Sequence, residues 1–122
     1  MNFNLIDLPN VSFLERYLDL ATFRQTLVAA NLANVDTPGY QSRDVAFQSE
    51  LNWAATEGFQ NELHPFVRKV EGLIERPDGN NVSLDREGLL LSETQLQYKT
   101  AIEFIREEFR MLRGAINDGA ES

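Results

Sequence analysis

No cysteine occurs in the 122 residues, so disulfide staples, thiolate metal sites and thiol chemistry are excluded, although that absence fixes no compartment. Histidine occurs once, as His64 before Pro65, with no second histidine to share a metal or a catalytic proton, and it reads as a surface loop residue. Basic charge is scarce: 11 Lys and Arg stand against 19 Asp and Glu, a net charge of −8, and no basic block is present to neutralise a phosphate backbone. Nucleic acid is therefore not an expected partner. No apolar run reaches membrane-spanning length, and the opening Met1 to Asp7 lacks the basic start and apolar core of a secretory signal, so no direct membrane insertion is expected. A glycine-rich phosphate loop, a nucleophile elbow and a Glu-x-x-His pair are all missing, and the expectation is a protein without catalytic residues, metal or cofactor.

What is present is helical periodicity at both ends of a chain whose 43% hydrophobic and 25% charged content suits one soluble domain at most. After a lead-in to Val11 that contains Pro9, Ser12 reads as an N-cap with Glu15 completing a capping box, and a helix is predicted over residues 12–36. Leu14, Ala21, Val28 and Val35 recur every seven residues, flanked by Phe13, Leu20 and Leu27 and by Leu18 and Leu32; Tyr17, Arg24 and Asn31 form a more polar row at the edge. A second helix is predicted over residues 83–114, roughly 47 Å at 1.5 Å per residue. Leu84, Leu91, Tyr98, Ile105 and Leu112 form its expected seam toward the first helix, with Ile102, Phe109 and Ile116 on one flank and Leu90, Phe104 and Met111 on the other. Glu103, Glu107 and Glu108 alternate with Arg106, Arg110 and Arg113, which reads as a charged flank. The fold class is mainly α: two long terminal helices in an antiparallel coiled coil. Each apolar face is wider than a two-helix contact buries, and a wet large side chain forfeits about 1.5 to 3 kcal/mol, so a further partner is expected.

Between the helices, Pro38 disfavours the helical region for Thr37, and Thr37-Pro38-Gly39-Tyr40 fits a type II turn. Asn31 and Asn34 are placed to bond carbonyls that lack helical partners. Asp44 reads as the cap of a shorter helix carrying Phe47, Leu51 and Ala54 or Ala55, ended by Gly58, with Trp53 half buried. From Phe59 to Asn81 periodicity is lost; the expected segment is irregular and mobile, with Phe66 to Val70 and Leu73 to Glu75 as a weak hairpin signal. One unit is expected over 1–122, with residues 37–82 joining the two helices.

The spaced residues A-N-L-A-N-V-D-T-P-G-Y, Ala30 to Tyr40, resemble the N-terminal signature of bacterial flagellar rod and hook proteins. Asp36 before Thr37-Pro38-Gly39-Tyr40, and the following Arg43-Asp44-Val45-x-Phe47, are most similar to the FlgB type of proximal-rod subunit. A second stretch, Arg76 to Glu87, resembles the same type, with Ser83 and Thr94 standing where Asp and Asn are common. Only 46 residues separate Asp36 from Ser83, too few for the long β-rich insertion of hook and distal-rod members. The resemblance implies a structural subunit of the proximal rod, polymerising through its terminal helices to help form the motor drive shaft. It implies as partners other rod subunits, the basal-body base with its MS ring and rod adaptor, and the flagellar type III export apparatus. The implied location is the periplasmic span of the basal body after export. The motif and hinge residues are Asn31, Asn34, Asp36, Thr37, Pro38, Gly39, Tyr40, Arg43, Asp44 and Phe47. The helix-packing and assembly residues are Leu14, Leu20, Leu27, Val28, Leu91, Tyr98, Phe104, Ile105, Phe109, Met111 and Leu112. The alternatives are another short proximal-rod type and, from a different class, a soluble coiled-coil adaptor.

Overall fold

The computed structural model describes residues 9–58, 62 and 64–121. Five elements follow in order: α1 Pro9–Ala33, β1 Arg43–Asp44, α2 Phe47–Thr56, β2 Arg68–Lys69 and α3 Leu84–Glu121. The expected lead-in before Pro9, and Phe59 to Asn61 and Leu63 of the irregular middle, lie outside the described residues.

Helix α1 starts three residues earlier than the capping-box reading placed it. Pro9 occupies the first turn, where its missing N–H costs nothing, and Ser12 is buried inside the helix rather than capping it. At the other end, Asn34 N–H bonds to Ala30 O and Thr37 N–H to Asn34 O, after which the turn takes over. Tyr40 N–H returns to Thr37 O at 3.2 Å and Gly39 has φ 76°, the type II geometry that Pro38-Gly39 favours. Helix α3 runs to Glu121 rather than Gly114, about 57 Å at 1.5 Å per residue. Ser83 caps it, its Oγ accepting the Arg86 N–H at 3.2 Å.

The two long helices are antiparallel: Asn31 lies beside Glu87, while Phe13, Leu14 and Tyr17 line one cleft with Gln97, Ala101 and Phe104. On α1 the heptad row Leu14, Ala21 and Val28 is buried, as its spacing implies. On α3 the phase differs from expectation. The buried positions are Glu87, Leu90, Thr94 and Ala101, so the seam is turned by roughly 70° around the helix from Leu84, Leu91 and Tyr98, at about 100° per residue. Leu84 and Tyr98 are exposed, and Ile105 and Leu112 are half buried. Phe104, expected on the flank away from α1, instead borders the cleft with Phe13 and Leu14 while staying 58% exposed. Counting large apolar residues misplaced the seam because this contact is made by small and polar ones, which let the backbones approach.

The chain returning from the turn lies along α1. Leu20, Val45 and Leu51 form a compact core with Tyr17, Phe23, Leu27, Phe47 and Val67 packed on it. Helix α2 closes this core with Leu51 and Ala54, and Trp53 points outward, 58% exposed rather than half buried. Asp44 does not cap α2. Ala46 holds the N-cap position without a side-chain bond, and Asp44 pairs in β1. Nor do Phe66 to Val70 pair with Leu73 to Glu75: β2 joins β1 antiparallel, with Arg43 opposite Lys69 and Asp44 opposite Arg68.

Candidate functional site: a polar joint between two rods

Both motif stretches converge at one place, where α1 ends and α3 begins. Asn31, 1% exposed, uses every hydrogen-bonding position of its amide. Its Oδ1 accepts the Tyr40 hydroxyl at 3.0 Å and the Arg43 N–H at 3.1 Å, and its Nδ2 donates to Arg43 O at 2.9 Å and Glu87 Oε1 at 3.1 Å. By holding both backbone groups of Arg43 it acts as a strand neighbour to β1. Asn31 therefore does not cap its own helix, as the spacing suggested; Asn34 does, donating to Ala30 O at 2.8 Å.

The second motif supplies the other half. Asn80, fully buried, donates to Asn34 O and Thr37 O and accepts the Val82 N–H at 2.8 Å. Its neighbour Asn81 accepts the Ser42 N–H at 2.7 Å and donates to Gln41 Oε1. Gly39 N–H bonds to Asp78 O, Asn81 N–H to Tyr40 O, and Arg76 reaches Val35 O and Val82 O. Gly79, at φ 86°, passes so close that a Cβ there would lie 3.3 Å from the Gly39 Cα. The backbone of a helix end, a turn and a loop is thus satisfied by its own cross-links, by Arg76 and by five amide side chains, Gln41 donating to Gly79 O at 2.6 Å, as burial requires.

Beneath the amides lies a chain of alternating charge. Arg24 forks onto Asp44 at 3.1 and 3.0 Å, Arg86 meets the same carboxylate at 2.7 Å, and Arg86 also reaches Glu87 at 3.1 Å. Burial alone would raise the Asp44 carboxyl, but hydrogen bonds from Arg24, the Val45 N–H and Arg86 outweigh it and hold the group below its ordinary range. For Glu87 burial wins and the carboxyl is raised, against bonds from Asn31 and Arg86; its Oε2 has no hydrogen-bond partner among the described residues. Arg24 further lies over the Phe47 ring at 5.8 Å, and Tyr17 meets that ring edge-on at 5.2 Å. The polar row Tyr17, Arg24, Asn31 is therefore the track on which residues 43–47 are laid.

Of the hinge residues named from the sequence, Asn31, Asn34, Thr37, Gly39, Tyr40, Arg43 and Asp44 come together in the joint. Phe47 sits on the adjoining core, while Asp36 and Pro38 are exposed. Roles for Asn80, Asn81, Glu87, Arg24 and Arg86 were not read from the sequence. The signal was the adjacent pair Asn80-Asn81, two amides at a place where nothing but buried backbone would need them. Of the packing residues, Leu14, Leu20 and Val28 are buried and Leu27 partly so, Leu91 is half buried, and Phe109 and Met111 are exposed. Among the described residues no group of His, Cys, Asp and Glu is arranged to hold a metal ion, and no helix is long and apolar enough to cross a membrane.

The joint locks two long helices into one rod and leaves apolar rows uncovered, and the family described as "Flagella basal body rod protein" matches residues 21–41. Longer matches are more specific. The chain is 31% identical over 116 residues to the flagellar basal body rod protein FlgB of Buchnera aphidicola, covering 81% of this chain and 87% of that protein. It is 30% identical to FlgB of Escherichia coli K12 over 88% of this chain and 92% of that protein, and 30% identical to FlgB of Borreliella burgdorferi over 73% and 82%. The chain belongs to the FlgB family of flagellar basal body rod proteins. It is a structural subunit of the proximal rod.

Proposed function

We propose that this subunit polymerises through its terminal helices, with the polar joint fixing their register so that residues 9–121 present one rigid assembly surface. The observation that carries this is the strip beside the α3 seam: Leu84, Tyr98, Phe109 and Ile116 are exposed, and Leu91, Ile102 and Ile105 are half buried. A continuous apolar strip along a long helix is costly in water and is covered in an assembly. The neighbours are other rod subunits and the base on which the rod is built, the MS ring and its rod adaptor. The subunit reaches the periplasmic span through the flagellar type III export apparatus, and its role there is mechanical rather than catalytic.

The test is Phe109→Asp in a strain carrying only that variant. The side chain is 44% exposed, so the isolated subunit should fold normally. At a subunit contact the new carboxylate is buried without a partner, which is costly. Secreted subunit, basal bodies that stop short of a rod and loss of swimming are expected; full motility would remove this strip from the interface.

A further inference from the structure

We propose that α2 and the segment leading into β2 form a pocket for the guanidinium of an arginine side chain, presented by a neighbouring subunit of the rod. The pocket stands on its own geometry; that its arginine comes from a neighbour rests on the polymerising role above.

The pocket follows from what the core takes inward. Helix α2 buries Leu51 and Ala54, which leaves Glu50 and Trp53, three residues apart, as neighbours on an adjoining face. Ahead of β2, Val67 packs on the core, and the alternation of extended chain turns Phe66 the other way, 73% exposed. Phe66 N–H donates to Glu50 Oε1 at 3.1 Å, which pins this segment beside the helix. The result is a cavity of about 350 Å³ lined by Ser49, Glu50, Trp53, His64 and Phe66.

Two aromatic rings and a carboxylate line this cavity, and no Lys or Arg does. Glu50 is in no ion pair among the described residues. Trp53 and Phe66 both leave much of their surface in water. The face of an aromatic ring attracts a cation, and a carboxylate beside it adds to the attraction. An anionic ligand would be repelled by Glu50, and a purely apolar one would bury that charge unpaired. Arginine suits the site better than lysine, because a planar guanidinium stacks on a ring and bonds a carboxylate at the same time. The chain makes that combination once already, in the joint, where Arg24 lies 5.8 Å over the Phe47 ring and forks onto Asp44. Here the ring and the carboxylate are repeated without the arginine. Every arginine of the chain lies among the described residues and none lines the cavity, so the cation must come from another molecule.

Trp53 is the only tryptophan, so the fluorescence of the full-length protein reports this pocket directly. Titration with N-acetylarginine amide should give a saturable change, and the neutral N-acetylcitrulline amide, of nearly the same shape, should give none. Glu50→Gln keeps an oxygen for the Phe66 N–H but removes the charge, and should weaken binding about threefold or more. Phe66→Leu keeps apolar bulk but removes the ring, and should weaken it about twofold or more. Circular dichroism checks that both variants keep the fold. No saturable change with the arginine amide, an equal change with the citrulline amide, or unaltered affinity in either variant would overturn the pocket. Tighter binding of N-acetyllysine amide would overturn the assignment to a guanidinium. In cells, Glu50→Arg places the chain's own cation in the pocket and should lower the yield of rods while the subunit is still secreted; a normal yield would overturn the neighbour as the source. A wild-type subunit that binds the arginine amide yet never enters rods would count against the polymerising role and leave the pocket standing.

Discussion

Asn31 Nδ2 and Glu87 Oε1 lie 3.1 Å apart across 56 residues of chain, the hydrogen bond that ties the end of one rod to the beginning of the other. Asn31 is also the neighbour of both backbone groups of Arg43, so one amide sets three elements in register. Asn31→Ala leaves buried polar groups on Arg43, Tyr40 and Glu87 without this partner. We expect a loss of about 3 kcal/mol, or roughly 10 °C in Tm, since each buried group left unsatisfied costs about 1 to 3 kcal/mol. Asn34→Ala should cost about 1 kcal/mol, as for a lost helix cap. Equal melting points for the two variants would deny Asn31 this central place.

The charge chain gives the joint a pH signature. Asp44 is held below its ordinary value of 3.8, so its contribution is full above that pH and is lost as pH falls through the folded value. Glu87 is raised above 4.5, so the folded state binds its proton more tightly, and the benefit present below 4.5 is lost as pH rises through the folded value. Urea unfolding of wild type and Glu87→Gln across pH should therefore give a stability difference that falls with rising pH from about 4.5 upward. For Asp44→Asn the difference should instead fall as pH drops below about 3.8, and at neutral pH the variant should lose about 3 kcal/mol by stranding Arg24 and leaving Arg86 with Glu87 alone. Flat difference curves would show that neither carboxylate titrates differently on folding.

The two glycines of the joint should respond unequally. Both take positive φ, yet a Cβ on Gly39 meets nothing within 4 Å, whereas one on Gly79 comes within 3.3 Å of backbone. Gly39→Ala then costs only the left-handed strain, about 1 to 2 kcal/mol, and Gly79→Ala costs that plus a displacement of the turn. Thermal melts that rank Gly39→Ala as the more damaging would contradict the close approach.

The contrast between what the sequence discloses and what it hides has a physical cause. Periodicity disclosed both rods and the buried row Leu14, Ala21, Val28, and proline and glycine chemistry disclosed the Pro38-Gly39 turn, because each is a local property of one element. The joint was hidden because its partners are far apart in sequence: Asp44 looks like a cap for the helix just after it until Arg24 and Arg86 arrive from both rods. Likewise β2 pairs with a strand some 25 residues upstream, which no turn signal announces. The seam of α3 was misread because large apolar residues dominate any count of periodicity, whereas the joint sets the phase by pulling Glu87 inward.

That phase makes a last prediction, which pits the two possible seams of α3 against each other. If Leu84, Leu91 and Tyr98 faced α1, Tyr98→Ala would open a cavity and cost about 3 to 5 kcal/mol. Tyr98 is 43% exposed, so in the isolated subunit its truncation should cost about 1 kcal/mol or less. Ala101 is 2% exposed in the contact with Leu14 and Tyr17, and its small side chain is what lets the helices close. Ala101→Leu should overpack that contact at about 1 to 3 kcal/mol, despite a better helix-packing appearance on paper. In assembly the ranking should reverse. Tyr98 lies on the strip left for neighbours, so Tyr98→Ala should impair rod formation more than it impairs folding, while Ala101→Leu should impair both in proportion. Denaturant melts of the purified subunits set beside rod yields in cells carrying each variant decide it: a Tyr98→Ala subunit less stable than Ala101→Leu would return the seam to the row of large side chains.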